Sequence, residues 1–130
     1  MRLLTQSHEM EAYLKDASQF HGSAEGVVLP ENEKEVCDFL KEANERKKPV
    51  TVSGGKTGLT GAAVPLGGWV LSSERLCRIL EIKKDPAESD SWVRVEPGIL
   101  LKSLKEILEK ESLLAPTCLA RLQGASYHRR

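Results

Sequence analysis

Apolar positions recur at helical spacing in three stretches of the chain and as short strand-like runs in five others. That alternation predicts an α/β fold. Met10, Leu14, Ala17 and Phe20 lie three or four residues apart among charged neighbours, which predicts a helix over 8–20 that Gly22 ends. Val27, Val28 and Leu29 read as a buried strand stopped by Pro30. A better-marked helix follows, with Asn32 as cap, Glu35 three residues on, and Val36, Phe39, Leu40 and Ala43 as its apolar face. The charged run 45–48 reads as its solvated end. Residues 49–52 form the next strand, and this strand–helix–strand order predicts a parallel crossover unit. Further strands are expected at 68–71, 79–82 and 92–95, with a turn at Arg75-Leu76 and a polar surface connection at 84–91. Leu101, Leu104, Ile107 and Leu108 line a last helix reaching Lys110.

Composition narrows the picture without changing it. The 130 residues are within the range of one folding unit, and an apolar share of 40% suits a globular chain. Lys and Arg total 19 against 19 for Asp and Glu, so net charge gives no reason to expect a nucleic-acid or anionic-membrane partner. No run approaches the roughly 20 apolar residues of a membrane span. The opening MRLLTQSHEM is unlike a secretory signal, so the expected location is cytoplasmic. Cys37, Cys77 and Cys118 lack paired spacing and read as small apolar fillers, not as a disulfide or zinc framework. His8, His21 and His128 show no metal-ligand periodicity, and Asp16, Glu25, Glu81 and Glu96 form no recognisable catalytic pair. No catalytic or metal site is therefore expected. Trp92 either sits partly buried in its strand or faces a further part of a larger domain.

The informative chemistry lies in Ser53-Gly54-Gly55-Lys56-Thr57-Gly58-Leu59-Thr60-Gly61, directly after a strand. Glycines without Cβ let successive backbone N–H groups converge on an anion, and hydroxyls of Ser53, Thr57 and Thr60 can add donors. A phosphate or pyrophosphate suits such a concavity. The Walker A pattern fails because Val50 stands where its first glycine belongs. The Rossmann fingerprint fails because Pro65, Gly67 and Gly68 interrupt any following helix.

The run 49–82, PVTVSGGKTGLTGAAVPLGGWVLSSERLCRILEI, followed by Val95-Glu96-Pro97-Gly98, resembles the FAD-linked oxidases. The resemblance is to the glycolate oxidase catalytic subunit and D-lactate dehydrogenase type, with a vanillyl-alcohol-oxidase-type FAD-binding domain. It spans roughly 25–117. The resemblance implies that the loop wraps the FAD pyrophosphate through Ser53, Gly54, Gly55, Lys56, Thr57, Gly58 and Gly61. It also implies that Val64 and Pro65 approach the flavin side, and that Pro97 and Gly98 lie in a second segment near the cofactor. Lys56 stands where some relatives carry a flavin-linking histidine, so FAD would be held non-covalently. Its ammonium either offers charge to a phosphate or is simply exposed. Ala62 replaces a family glycine, and Cys77 a family asparagine.

After Leu114-Ala115-Pro116 the family continues into a second glycine-rich stretch and a substrate-binding cap, of which Gly124-Ala125 is at best a faint echo. The resulting expectation is an N-terminal helical region at 1–24, a partial FAD-binding domain at 25–117 and a divergent, basic, unstructured tail at 118–130. Its fold class is α/β, a short parallel βαβ unit followed by strands able to pair antiparallel. Its function would be the FAD-binding portion of an oxidoreductase for a 2-hydroxy acid such as glycolate or D-lactate, not catalytic alone. A non-catalytic scaffold without flavin and a small phosphate- or nucleotide-binding module are the competing readings. A partial sheet should expose an unpaired strand edge, which favours self-association.

Overall fold

The computed structural model describes residues 1–84 and 91–113. A short strand β1 (Arg2–Leu4) is followed by one helical turn, α1 (Ser7–Met10), and a 3-10 turn (Glu11–Tyr13). Then come β2 (Gly26–Leu29), α2 (Glu33–Glu45), β3 (Val50–Ser53), β4 (Trp69–Ser72), β5 (Ile79–Lys83), β6 (Trp92–Val95) and α3 (Leu101–Lys110). The α/β class expected from the pattern is the one observed.

The first sheet has the order β1-β2-β4-β3, with β1 antiparallel to β2 and the other neighbours parallel. The two strands joined by α2 are thus parallel, but β4 inserts between them: Val27 pairs with Val70, and Val70 with Thr51. Burial explains the order. Val70 and Leu71 are wholly or almost wholly enclosed, as a central strand requires, whereas Val52 of β3 is 62% exposed and suits an edge.

Alternation along β2 and β4 divides the core. Val27, Leu29 and Val70 pack with Leu4, Met10 and Tyr13 on one face; Val28 and Leu71 pack with Phe39 and Ala43 of α2 on the other. Each enclosed valine contributes on the order of 1.5–3 kcal/mol through lost apolar exposure. Asn32 caps α2 by accepting the Glu35 N–H at 2.9 Å, as the sequence predicts. The Glu35 carboxylate reaches back to the Glu31 N–H (2.8 Å) and holds the Met1 amine at 2.7 Å. β5 and β6 pair antiparallel with an irregularity between Ile79 and Glu81. Onto that hairpin α3 places Leu104 and Leu108, which join Ile99, Ile79, Ile82, Val93 and Val95 in a separate apolar cluster.

Three expectations are corrected. The helix over 8–20 ends after the 3-10 turn, because Asp16 Oδ1 accepts the Ser18 N–H and hydroxyl and diverts the backbone. Gln19 then takes a positive φ of 67°, and the Gly22 N–H bonds to the Leu14 carbonyl at 2.7 Å. Leu40 is exposed, since Val36, Phe39 and Ala43 suffice for the face that α2 turns to the sheet. Cys37 and Cys77 are also exposed and fill no core. Trp92 is exposed among the described residues, which is compatible with the second of its two readings, and Lys83 Nζ and the Arg94 guanidinium lie about 6 Å from its ring (6.0 and 5.9 Å). Strand β1 escapes the hydrophobic pattern because only Leu4 of its three residues is buried. Most of the 84–91 connection, together with Cys118, His128 and the tail at 118–130, lies outside the described residues.

Candidate functional site

The site forms where the parallel strands end. Ser53 closes β3 beside Ser72 of β4, and its carbonyl accepts the Ser73 N–H at 3.0 Å. The Ser53 side chain is fully enclosed, and its hydroxyl has no hydrogen-bond partner among the described residues. Beyond it the glycine loop turns outward. Gly54 and Gly55 face Pro97, Gly98, Ile99 and Leu100 across a cleft whose remaining wall is Ser73 and Glu74. Its volume of about 60 Å³ suits a group of phosphate size. It is well below the several hundred Å³ that a whole small-molecule ligand ordinarily occupies.

A charge pair braces the hairpin behind one wall, and a close contact joins that wall to Ser73. The buried Glu96 carboxylate accepts the Arg78 backbone N–H (2.8 Å), Nε (3.1 Å) and Nη2 (2.7 Å). Those Arg78 side-chain hydrogen bonds, opposed by desolvation and helped by the backbone one, keep Glu96 below the usual carboxylate range. Two residues on, the Gly98 N–H bonds to the Leu76 carbonyl at 2.7 Å. A Cβ at Gly98 would overlap the carbonyl oxygens of Ser73 and Leu76, so glycine is required here by close approach, not by backbone angle. By contrast, a Cβ at Gly54 would meet only Ser73 Oγ, at an ordinary 3.8 Å.

The electrostatics favour an anion from two directions and oppose it from one. Leu100 caps α3 without any side-chain hydrogen bond, and the first turn of that helix carries no acid. The positive end of α3 therefore starts at the cleft wall. Gly54 and Gly55, which bring backbone without side chains to the opposite wall, are the second. Glu74 is the opposing charge; one of its oxygens, Oε1, accepts the Tyr13 hydroxyl at 2.8 Å. Lys56 lies outside the cleft lining, with its Nζ 4.4 Å from the Tyr13 ring centroid.

Of the residues anticipated from sequence, Gly54, Gly55, Pro97 and Gly98 meet at the cleft, with Ser53 enclosed at its root. Thr57 and Gly58 are exposed outside it, and Lys56 takes a positive φ of 55°. Gly61 (φ 75°) lies against Phe20. Val64 and Pro65 are buried and do not line the cleft, and the Pro65 carbonyl accepts the Ser23 N–H at 2.9 Å. Ser73, Glu74, Ile99 and Leu100 line the cleft without having been singled out from sequence. The available signals were the polar pair ending an apolar strand and an uncapped helix start after Pro97-Gly98.

Residues 24–125 match the FAD binding domain family. The chain is 36% identical over 118 residues to a D-lactate dehydrogenase of Anaerostipes hadrus, covering 88% of this chain and 24% of that protein. It is 31% identical over 117 residues to a D-2-hydroxyglutarate dehydrogenase of Stutzerimonas stutzeri, with the same 88% and 24% coverage. The chain thus spans about a quarter of the length of these relatives. Among solved structures, an alkyldihydroxyacetonephosphate synthase superposes with TM-score 0.78 at 16% identity, covering 95% of this chain and 25% of that one. The 6-hydroxy-D-nicotine oxidase of Arthrobacter nicotinovorans gives 0.74 at 18%, covering 95% and 27%. The fold is that of the N-terminal part of a vanillyl-alcohol-oxidase-type FAD-binding domain.

Tyr13 offers a direct check on the Glu74 contact. Burial first, and then the hydrogen bond to Glu74, push its phenol up to about 12 from 10.0. A raised phenol stabilises the fold below the unfolded pKa near 10, and that contribution is lost as pH rises toward 12. With Tyr127→Phe removing the only other tyrosine, tyrosinate absorbance should appear near pH 12 and fall toward 10 in Glu74→Gln. The same midpoint in both proteins contradicts the contact, because burial alone would then account for it.

Proposed function

We propose that this chain, which belongs to the FAD-binding domain family of FAD-linked oxidases, binds FAD non-covalently through the glycine-loop cleft. The observation that carries this reading is the convergence of Gly54 and Gly55 with Pro97–Leu100 at the uncapped start of α3. The cleft fits one end of such a cofactor, the diphosphate, by size and by donor chemistry. Backbone N–H groups of Gly54, Gly55 and Lys56 would hold the phosphate oxygens, with the first α3 amides opposite. Ser53 would act from beneath, through its unpartnered hydroxyl. Lys56, Thr57, Gly58 and Gly61 would shape the loop and flank the rest of the dinucleotide. Val64 and Pro65 would fix the backbone leading away from it.

The relatives support a reaction class for the whole protein, since two of them act on D-2-hydroxy acids by their names. Flavin, when bound, supplies two-electron acceptance from the α-carbon of a 2-hydroxy acid such as D-lactate or glycolate. The part that this chain plays is to bind and orient the cofactor. We place that portion within 25–117, with the preceding residues closing one face of the sheet.

Gly54→Ala separates binding from folding, because the added methyl has room in the folded chain but enters the cleft. FAD titration followed by flavin fluorescence should show saturable binding by the natural chain. The variant should bind about tenfold more weakly, roughly 1.4 kcal/mol, with unchanged thermal stability. Absence of saturable binding by the natural chain rejects the cofactor assignment. ATP or inorganic pyrophosphate binding as tightly as FAD would favour a general phosphate module.

The outer edge of β3 has no partner strand among the described residues, and Val52 beside it is exposed. We therefore expect concentration-dependent self-association in size-exclusion chromatography. Clean monomer behaviour across a wide concentration range contradicts it.

A further inference from the structure

We infer that residues 13–20 form a strap that sets the conformation of the glycine loop, with Asp16 as its positioning residue. The contacts run in register along the two segments. Tyr13 lies beneath Lys56 Nζ and bonds to Glu74 in the cleft wall. The Ala17 N–H donates to the Lys56 carbonyl at 3.1 Å, at the residue where the loop turns through positive φ. Phe20 packs against Gly61, where the loop turns a second time: a Cβ there would stand 2.9 Å from its ring.

Between these anchors sits a carboxylate that a surface strap would not need. Asp16 is only 9% exposed. Its Oδ1 takes the Ser18 N–H at 2.9 Å and the Ser18 hydroxyl. Its Oδ2 is buried without a close hydrogen-bond partner and lies 3.6 Å from where a Cβ of Gly58 would stand. The Ser18 hydroxyl, opposed by desolvation and aided by the Ser18 and Ala63 amides, holds this carboxyl below its usual range, so it is ionised at neutral pH.

A buried anion behind a glycine loop attracts backbone N–H groups, and the Ala63 amide just past Gly61 already helps to hold its charge. The loop from Lys56 onward is thereby fixed against the strap, and Gly54 and Gly55 are left to face the cleft. This role rests on the FAD reading for its consequence, but the strap itself does not depend on any ligand. Residues 13–20 precede the 24–125 stretch matched by the family. They also lie in the segment whose pattern suggests only a helix.

The test compares the full chain with Asp16→Asn and Ser18→Ala by amide hydrogen exchange, together with FAD titration. Asparagine preserves size and the Oδ1 acceptor while removing the charge. We expect exchange in 56–63 to rise about tenfold in Asp16→Asn, with β2 and β4 unchanged, and FAD affinity to fall by a similar factor. Ser18→Ala should shift both in the same direction. Loop exchange equal to that of the natural chain, or a uniform rise across the sheet, overturns the strap. If the natural chain fails to bind FAD, the functional assignment fails while the exchange comparison still decides the strap.

Discussion

Glu96 carries a buried negative charge at the point where β6 gives way to the segment that faces the glycine loop. An unpaired carboxylate in that position would cost several kcal/mol in desolvation. Three N–H donors from Arg78 offset it, and in doing so lock the end of β6 to the start of β5. The Gly98 N–H then reaches the Leu76 carbonyl, and α3 begins two residues after Ile99 buries itself over the hairpin. The Gly98 contacts with Leu76 and Ser73 tie the Pro97–Leu100 wall to the strand ends of the parallel sheet, and the Glu96–Arg78 pair braces the hairpin from which that wall projects.

The first sheet supplies the other wall by a different principle. A central β4, enclosed on both faces, forces β3 outward to the edge. The chain leaving β3 is therefore free to turn over the carboxyl ends of the strands, the usual place for a ligand on a parallel sheet. The glycines serve two purposes there. Gly54 leaves space, whereas Gly98 permits backbone contact that no side chain would allow.

Much of this was legible in the residues. Strong periodicity with a cap located α2, and apolar runs located β2 to β6, because in those segments local preference and burial agree. Order along the chain also revealed the motifs that carry the family resemblance. What the pattern hid was decided by tertiary contacts. The insertion of β4 between β2 and β3 depends on relative burial of three similar runs. The broken helix before Gly22 depends on one Asp16 side chain competing with the backbone. Ser73, Glu74, Ile99 and Leu100 enter the site because Glu96 and Gly98 bring distant segments together, which spacing does not encode. Val64 and Pro65, conspicuous in the motif, are buried in the chain's packing.

The central claim is that two separated backbone segments jointly bind a diphosphate. Backbone amide NMR during titration with ADP, which carries the diphosphate and adenosine of FAD without the flavin, addresses it most directly. The account predicts saturable shifts at Gly54, Gly55, Gly98 and the first amides of α3, occurring together and with one dissociation constant. Shifts confined to the glycine loop, or centred on the hairpin around Lys83 and Arg94, would contradict it.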